Sequence, residues 1–293
     1  MKFTLPYIIN LPPFMFRGID VDRMSTFKRL LFIIKGKFLS FVINKIDGNA
    51  FCKIINVFYR DKSKIYFENN LYKKEIENLG NISYPNKRIL RMVNNYKLQF
   101  NRLLDSYCLN SIEIKNGDII IDCGANVGEL NLALQSNKIK TQYIAFEPDP
   151  DTFECLKLNN PKNIDNLYKS ALSNKVGNQN LHVDSLGGNS SLINFGEDNM
   201  IEVSSITLDS LKITQNIKLF KLEAEGFEPE VLDGSVDTLK NINFVSVDFG
   251  HERGPEEKST IVEVNKLLLE NNFELIKFSE HRLIGLYENK KYR

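Results

Sequence analysis

A run of β-branched residues that ends in an acid and a glycine turn constrains this chain most. IIIDCGANVG occupies residues 119–128, and an apolar periodic run follows it. Isoleucine is stiff at χ1 and suits a buried strand better than a helix. Gly124 and Gly128 bracket a tight turn, so the string predicts a strand, a turn and a helix start. QYIAFEP (142–148) is the next strand-like segment, and Glu147 closes it, 23 residues after Gly124. A glycine turn opening a helix, with an acid at the end of the following strand, is how α/β folds hold an adenosine ligand.

The turn also separates two kinds of cofactor. Dinucleotide folds show G-x-G-x-x-G, with a pyrophosphate on the helix N-terminus. Here Asp122 stands just before the first glycine. An acid there repels a pyrophosphate but suits a cationic amino group. S-adenosylmethionine carries an ammonium and a sulfonium and no phosphate, so it is the expected ligand, and a dehydrogenase is disfavoured. Asp122 is expected to face the ammonium. Gly124 and Gly128 let backbone approach the ligand closely. Asn126 can hold the turn by bonding its own backbone. Glu147 can accept two hydrogen bonds from a ribose diol.

After Asp118 the pattern alternates. Strands are predicted at 119–123, 142–147, 167–171, 218–223, 243–248, 273–278 and 283–287, and helices at 127–137, 150–159, 228–240 and 258–271. Such alternation argues a doubly wound, mainly parallel sheet with helices on both faces. A short turn at Glu280 makes the last two strands an antiparallel edge pair. Residues 177–206 read as extra strands and loop, with a turn at Gly187-Gly188. Ligands of open α/β sheets sit at the carboxyl ends of the strands. Asp122, Glu147, Glu223 and Asp248 each end a predicted strand, so they are expected on one rim.

Two further strings carry chemistry. FKLEAEGFEPEVLDG (220–234) sets Glu223 at the end of an otherwise apolar strand, with Glu225 beyond it. Glu228 and Glu230 fall in the first turn of the following helix, where the dipole favours them. VSVDFGHERGPEEKST (245–260) carries His251, one of only three histidines, on a loop after Asp248. An imidazole near Glu223 is a candidate base for a hydroxyl proton. Asp248, Glu223 and His251 are also a weaker candidate set for a divalent metal, because scattered loop ligands leave no spacing signal.

Residues 1–84 differ in charge from the rest. They carry 14 basic and 7 acidic residues, a net +7, against 24 and 30 over residues 85–293, a net −6. The first stretch is expected to be a basic, mainly helical region, with helices near 25–46, 49–60 and 69–79 and a boundary at Gly80–Pro85. Lysines and arginine interrupt the apolar run of 25–46, so it does not span a membrane. Its apolar positions Phe27, Leu30, Leu31, Ile34, Phe38, Phe41, Val42 and Ile46 mix spacings of three and four, as in an amphipathic helix. The ordinary expectation is that this face packs on the remaining chain. The alternatives are a lid, a dimer arm, or a basic face that meets anionic lipid or a lipid-linked glycan pyrophosphate at the inner membrane. Cys52, Cys108, Cys123 and Cys155 lack C-x-x-C spacing. With no evident signal peptide they read as reduced thiols in a cytoplasmic protein, and the sequons at Asn81 and Asn189 carry no meaning. The acidic second part and the lack of an aromatic-lined basic groove argue against nucleic acid.

The blocks IIIDCGANVG, YIAFEPDPDTFECLKLNN (143–160), SSITLDSL (204–211) and FKLEAEGFEPEVLDGS (220–235), in this order, resemble the FkbM family of S-adenosylmethionine-dependent methyltransferases. The resemblance covers roughly residues 100–287. It implies a class I methyltransferase fold with an antiparallel last strand, and transfer of a methyl group to a hydroxyl. It also implies a carbohydrate acceptor, in a bacterial surface polysaccharide or a glycolipid. Where the family usually has Asp, in K-I-D-V-E-G, this chain has Glu223, as in a subgroup with L-E-A-E-G. Glu223 and His251 are the expected acceptor-side catalytic residues. Two rival readings keep the same donor site: a methyltransferase of small molecules or proteins, and a non-catalytic scaffold in glycan assembly. Loss of Asp122 or Glu147 would have favoured the scaffold.

Overall fold

The computed structural model describes residues 11–182, 191–193, 200–279 and 282–293. The expected turns at Gly187-Gly188 and Glu280 lie outside them. The chain divides into two compact units, Met1–Gln99 and Phe100–Arg293.

The first unit holds α1 (Thr26–Lys45), α2 (Gly48–Phe58) and a three-stranded antiparallel sheet of β1 (Ile65–Glu68), β2 (Leu71–Ile76) and β3 (Gly80–Tyr84). The sheet corrects the expectation of a helix near 69–79. Asn69 and Asn70 both take positive φ, 51° and 60°. Two consecutive left-handed residues make the kind of turn that joins twisted hairpin strands, and asparagine tolerates it. An Asn-Asn pair therefore acts here as Asn-Gly would, and β1 pairs with β2 across it, Glu68 opposite Leu71. The expected boundary at Gly80–Pro85 is instead β3, which pairs with β2. α1 buries Val42, as its spacing favoured, but its other inside positions are Ile33, Gly36 and Leu39 rather than the expected ones.

The second unit opens with α3 (Tyr96–Ser106), which crosses the division, and is built on a seven-stranded sheet. Its strands are β4 (Ile119–Cys123), β5 (Gln142–Phe146), β6 (Leu167–Tyr168), β10 (Ile217–Leu222), β11 (Ile242–Asp248), β12 (Phe273–Phe278) and β13 (Ile284–Asn289). They lie in the order β12-β13-β11-β10-β4-β5-β6. Neighbours among β6, β5, β4, β10 and β11 are parallel, and β13 runs antiparallel to both β11 and β12. This is the class I methyltransferase topology, with the reversed strand where the sequence pattern expected it. β4 is buried at all five residues, as a strand covered on both faces must be. A smaller sheet of β7 (Ala171–Leu172), β8 (Gly177–His182) and β9 (Met200–Ile206) accounts for the predicted strands around 177–206.

Four helical segments follow strands of the large sheet: α4 (Glu129–Ser136), α5 (Pro150–Asn159), α6 (Glu228–Asp233) with α7 (Val236–Leu239), and α8 (Ile261–Glu270). Asp149 caps α5 by accepting from the Thr152 amide at 2.8 Å, and Pro150 occupies the first turn. The predicted single helix 228–240 breaks at Gly234–Ser235 into α6 and α7. Ile121, Phe220, Leu222, Val245, Val247 and Phe249 belong to one core cluster with residues of α6 and α8. That core fixes the strand ends from which the site side chains project.

Candidate active site

The rim at the carboxyl ends of β4, β5, β10 and β11 has two halves. The first is the turn after β4. Gly124 (φ +68°) lies so close to the end of β10 that a Cβ would stand 2.1 Å from the Glu223 carbonyl oxygen. Gly128 (φ +84°) leaves only 2.2 Å between such a Cβ and the Asn160 side-chain nitrogen. Both positions require glycine on conformation and on space. Asn126, also left-handed at φ 50°, accepts from the Val127 amide through its own Oδ1 at 3.0 Å. Its backbone N–H donates to Glu147 Oε2 at 2.8 Å. The other oxygen of Glu147 accepts from the Asp149 N–H at 3.0 Å. Glu147 thus joins the turn after β4 to the loop after β5. It is only 7% exposed. Burial pushes its carboxyl up to about 7, against the pull of the two amides.

The second half is a network of charged side chains. Asp122 and Lys221 face each other in register on β4 and β10. The Lys221 ammonium is 3.0 Å from Asp122 Oδ1 and 3.1 Å from Glu223 Oε2, and donates to the carbonyls of Cys123 and Gly124 at 3.0 and 2.8 Å. Burial opposes its charge, but Asp122, Tyr107 and Glu223 raise its pKa well above the ordinary lysine value. Asp122 also accepts from the Tyr143 hydroxyl at 2.6 Å. Burial raises its carboxyl, and Lys221 opposes the rise. The expected ammonium-facing acid is therefore 1% exposed and committed to Lys221 and Tyr143 inside the sheet.

Glu223 receives the Tyr107 hydroxyl on Oε2 and Arg282 on Oε1, the latter at 2.9 Å. Arg282 also binds Asp248 Oδ2. Burial alone would raise the Glu223 carboxyl. Lys221, Arg282 and Tyr107 outweigh it and hold the group well below the usual carboxylate range. Asp248 is pushed up to about 6 by burial despite Arg282. Glu225, left-handed at φ 48°, goes the opposite way from Glu223. Burial, then the charges of Glu223, Glu252 and Asp248, raise its pKa above the ordinary carboxylate value. Glu228 builds the intervening turn. Its Oε1 accepts from the amides of Ala224 and Gly226 at 2.9 and 3.1 Å, and its Oε2 from Thr260 at 3.0 Å. Glu230 grips Arg253 through both oxygens, at 3.0 and 2.7 Å. These two glutamates thus do specific work beyond favouring a helix dipole.

The rim brings together Asp122, Glu223 and Asp248 through Lys221 and Arg282. His251 is not part of that network. It is exposed, with Nδ1 3.2 Å from the Glu257 carbonyl oxygen. The weaker metal set fails on charge. Asp248 and Glu223 share a guanidinium rather than surrounding a cation position, and among the described residues no group of three or more metal-ligating side chains is so arranged. Lys221, Tyr107 and Arg282 escaped sequence reasoning. Lys221 left one trace, a lysine inside the apolar string FKL beside Glu223. Tyr107 and Arg282 come from distant segments and left none.

The model of the methyltransferase FkbM domain matches residues 122–275, which is more than half of the chain. The chain belongs to the FkbM methyltransferase family. A hexuronic acid methyltransferase, AglP, of Haloferax volcanii is 26% identical over 163 residues. That match covers 54% of this chain and 66% of the relative, just under two thirds of the relative's length. Among solved structures, an S-adenosylmethionine-dependent methyltransferase of Aquifex aeolicus is similar at a TM-score of 0.38 and 13% identity, over 66% of this chain and 97% of that one. A Streptococcus pneumoniae putative tRNA (m1A22) methyltransferase in complex with S-adenosyl-L-methionine has a TM-score of 0.36 at 12% identity, over 62% and 71%.

S-adenosylmethionine is the methyl donor of the FkbM family, and this site fits it. Each Glu147 oxygen takes a single backbone N–H and keeps lone-pair capacity for a diol. Its raised pKa marks an acceptor that burial leaves incompletely compensated. The glycine turn beside it presents backbone without a Cβ at Gly124 and Gly128.

Proposed function

We propose that this chain is an O-methyltransferase that moves a methyl group from S-adenosylmethionine to a sugar hydroxyl of a bacterial surface polysaccharide or glycolipid. The bound donor supplies an activated methyl on a sulfonium. The chain's own task is then to align the acceptor oxygen and take up its proton.

One observation carries the reading. The donor turn touches the acceptor-side acid, because Gly124 abuts the Glu223 backbone and Lys221 binds both. Glu147, Gly124, Gly128 and the Asn126 backbone hold the donor. Asp122 acts through Lys221, fixing the turn carbonyls rather than binding the ammonium directly. Glu223 is too weakly basic to be the main proton acceptor. Its fixed negative charge instead orients the hydroxyl and stabilises positive charge developing on the oxygen as the new bond forms. His251 is the proton acceptor in this scheme. The Glu257 carbonyl oxygen takes its Nδ1 at 3.2 Å, so Nε2 is the ring nitrogen assigned to this role. A carbohydrate acceptor is consistent with the hexuronic acid named for the Haloferax relative. An acceptor carried on a lipid would bring a cytoplasmic enzyme to the inner membrane face.

Incubation with methyl-labelled donor and a panel of uronic-acid and neutral-sugar glycans, read by mass spectrometry, tests the reading. Label in a sugar ether is expected, and His251→Ala should slow it by about 100-fold. Label only in phenols, other small molecules or protein would reject the sugar acceptor. Turnover of His251→Ala within a few-fold of wild type would remove the histidine from the scheme.

A further inference from the structure

α1 is apolar on two sides, and only one of them is buried. Away from Ile33, Gly36, Leu39 and Val42, the helix exposes Phe27 (69%), Leu30 (53%), Leu31 (51%), Ile34 (57%), Phe38 (45%) and Phe41 (57%). At 3.6 residues per turn these six fall within an arc of about 100°. The stripe continues onto α2, where the exposed Phe58 ring lies 5.4 Å from that of Phe38. Scattered exposed apolar side chains are ordinary, but a continuous stripe along a whole helix marks an interaction surface.

Charge identifies the occupant. α1 carries Lys28, Arg29, Lys35, Lys37 and Lys45 and no acidic residue. On the helical wheel Lys37 borders one edge of the stripe, Lys28 borders the other, and Lys45 closes its C-terminal end, while Lys35 is turned onto the Phe58 and Tyr59 rings and donates to the Phe58 carbonyl at 3.4 Å. Phenylalanine and leucine between flanking lysines is the pattern of a helix lying in a bilayer interface. The rings enter the acyl boundary and the lysine stems reach back to the headgroups. No helix among the described residues is long and apolar enough to cross a membrane. We infer that α1 lies in the plane of an anionic lipid surface, with its Phe27–Phe41 stripe in the acyl boundary and Lys28, Lys37 and Lys45 on the headgroup phosphates. This surface is independent of the methyl-transfer reaction and of the acceptor's identity.

The chain has no tryptophan, so Phe41→Trp in the full-length protein introduces a sole indole. Its emission should be that of an exposed indole in buffer and should shift to the blue with vesicles of phosphatidylcholine and phosphatidylglycerol. Flotation with the same vesicles should recover the protein at low salt. Recovery should fall at least about tenfold at high salt, in Lys28→Glu/Lys37→Glu, and in Phe27→Ser/Phe38→Ser/Phe41→Ser. Unchanged far-ultraviolet circular dichroism and thermal unfolding of both variants would show that they fold. Equal binding to pure phosphatidylcholine, or no binding to either vesicle, would overturn the inference. A blue-shifted indole before vesicles are added would overturn it too, because the chain itself would cover the stripe. So would a dimer that the triple serine variant dissociates, because a second copy would then be the occupant.

Discussion

Two strand-end glutamates on one rim are held in opposite ways. Glu147 is met by two backbone N–H groups and, among the described residues, by no cation within bonding distance, and burial pushes its carboxyl up to about 7. Glu223 is met by Lys221, Arg282 and Tyr107, and is held far below the ordinary range in spite of its burial. The half proposed to hold the donor is made of backbone and turn geometry. The half proposed to face the acceptor is made of long side chains drawn from separate segments. Backbone dipoles are fixed when the turn folds, whereas a side-chain network stands or falls with each member.

The largest expected effect comes from the acceptor half. Lys221→Met leaves Asp122 and Glu223 without their shared cation in a buried place. Breaking such a pair from one side costs about 3–5 kcal/mol of stability. Urea unfolding of the variant measures this, and a loss under about 1 kcal/mol would mean that the network does not organise the rim.

A smaller effect is expected from pH on the donor half. A diol is best received by the ionised Glu147 carboxylate. Its pKa lies near 7 in the folded chain, above the ordinary glutamate value, so the protonated form takes over as pH falls through that region. Donor affinity should therefore drop by about tenfold between roughly pH 8 and pH 6. The slope should vanish in Glu147→Gln. A profile that is flat in wild type, or equally steep in the variant, would take Glu147 out of the ribose contact.

The smallest effect sharpens the contrast most. Asn126 reaches Glu147 through its backbone N–H, and its φ of 50° suits glycine. Asn126→Gly keeps the N–H and loses only the side-chain bond to Val127, so donor affinity should change by no more than about threefold. A large loss would mean that the donor half also depends on side chains.

The same contrast explains what the sequence disclosed. The donor half was legible because left-handed turns restrict residue type. Gly124, Asn126 and Gly128 announce themselves, and Glu147 follows at the end of the next strand. The core strands were legible because fully buried parallel strands are continuous apolar runs. The acceptor half was half legible. Glu223 stood out in an apolar strand, but its partners Tyr107 and Arg282 lie 116 and 59 positions away in sequence, and no local pattern links them. His251 was singled out for its chemistry alone, and the structure keeps it outside the charged network. The N-terminal sheet was missed because Asn69-Asn70 performs a turn that glycine usually signals. α1 was assigned the right periodicity and, Val42 apart, the wrong buried positions, because both of its sides are apolar.

Calorimetric titration of S-adenosylhomocysteine into wild type, Glu147→Ala and Glu223→Gln tests the division of the rim most directly, since it needs no acceptor. Glu147→Ala removes charge-assisted bonds of about 1.5–3 kcal/mol and should weaken binding by roughly 10- to 150-fold. Glu223→Gln should bind within about twofold of wild type, because in the proposed scheme that carboxylate serves the acceptor. Equal losses in both variants, or wild-type affinity in folded Glu147→Ala, would contradict the account.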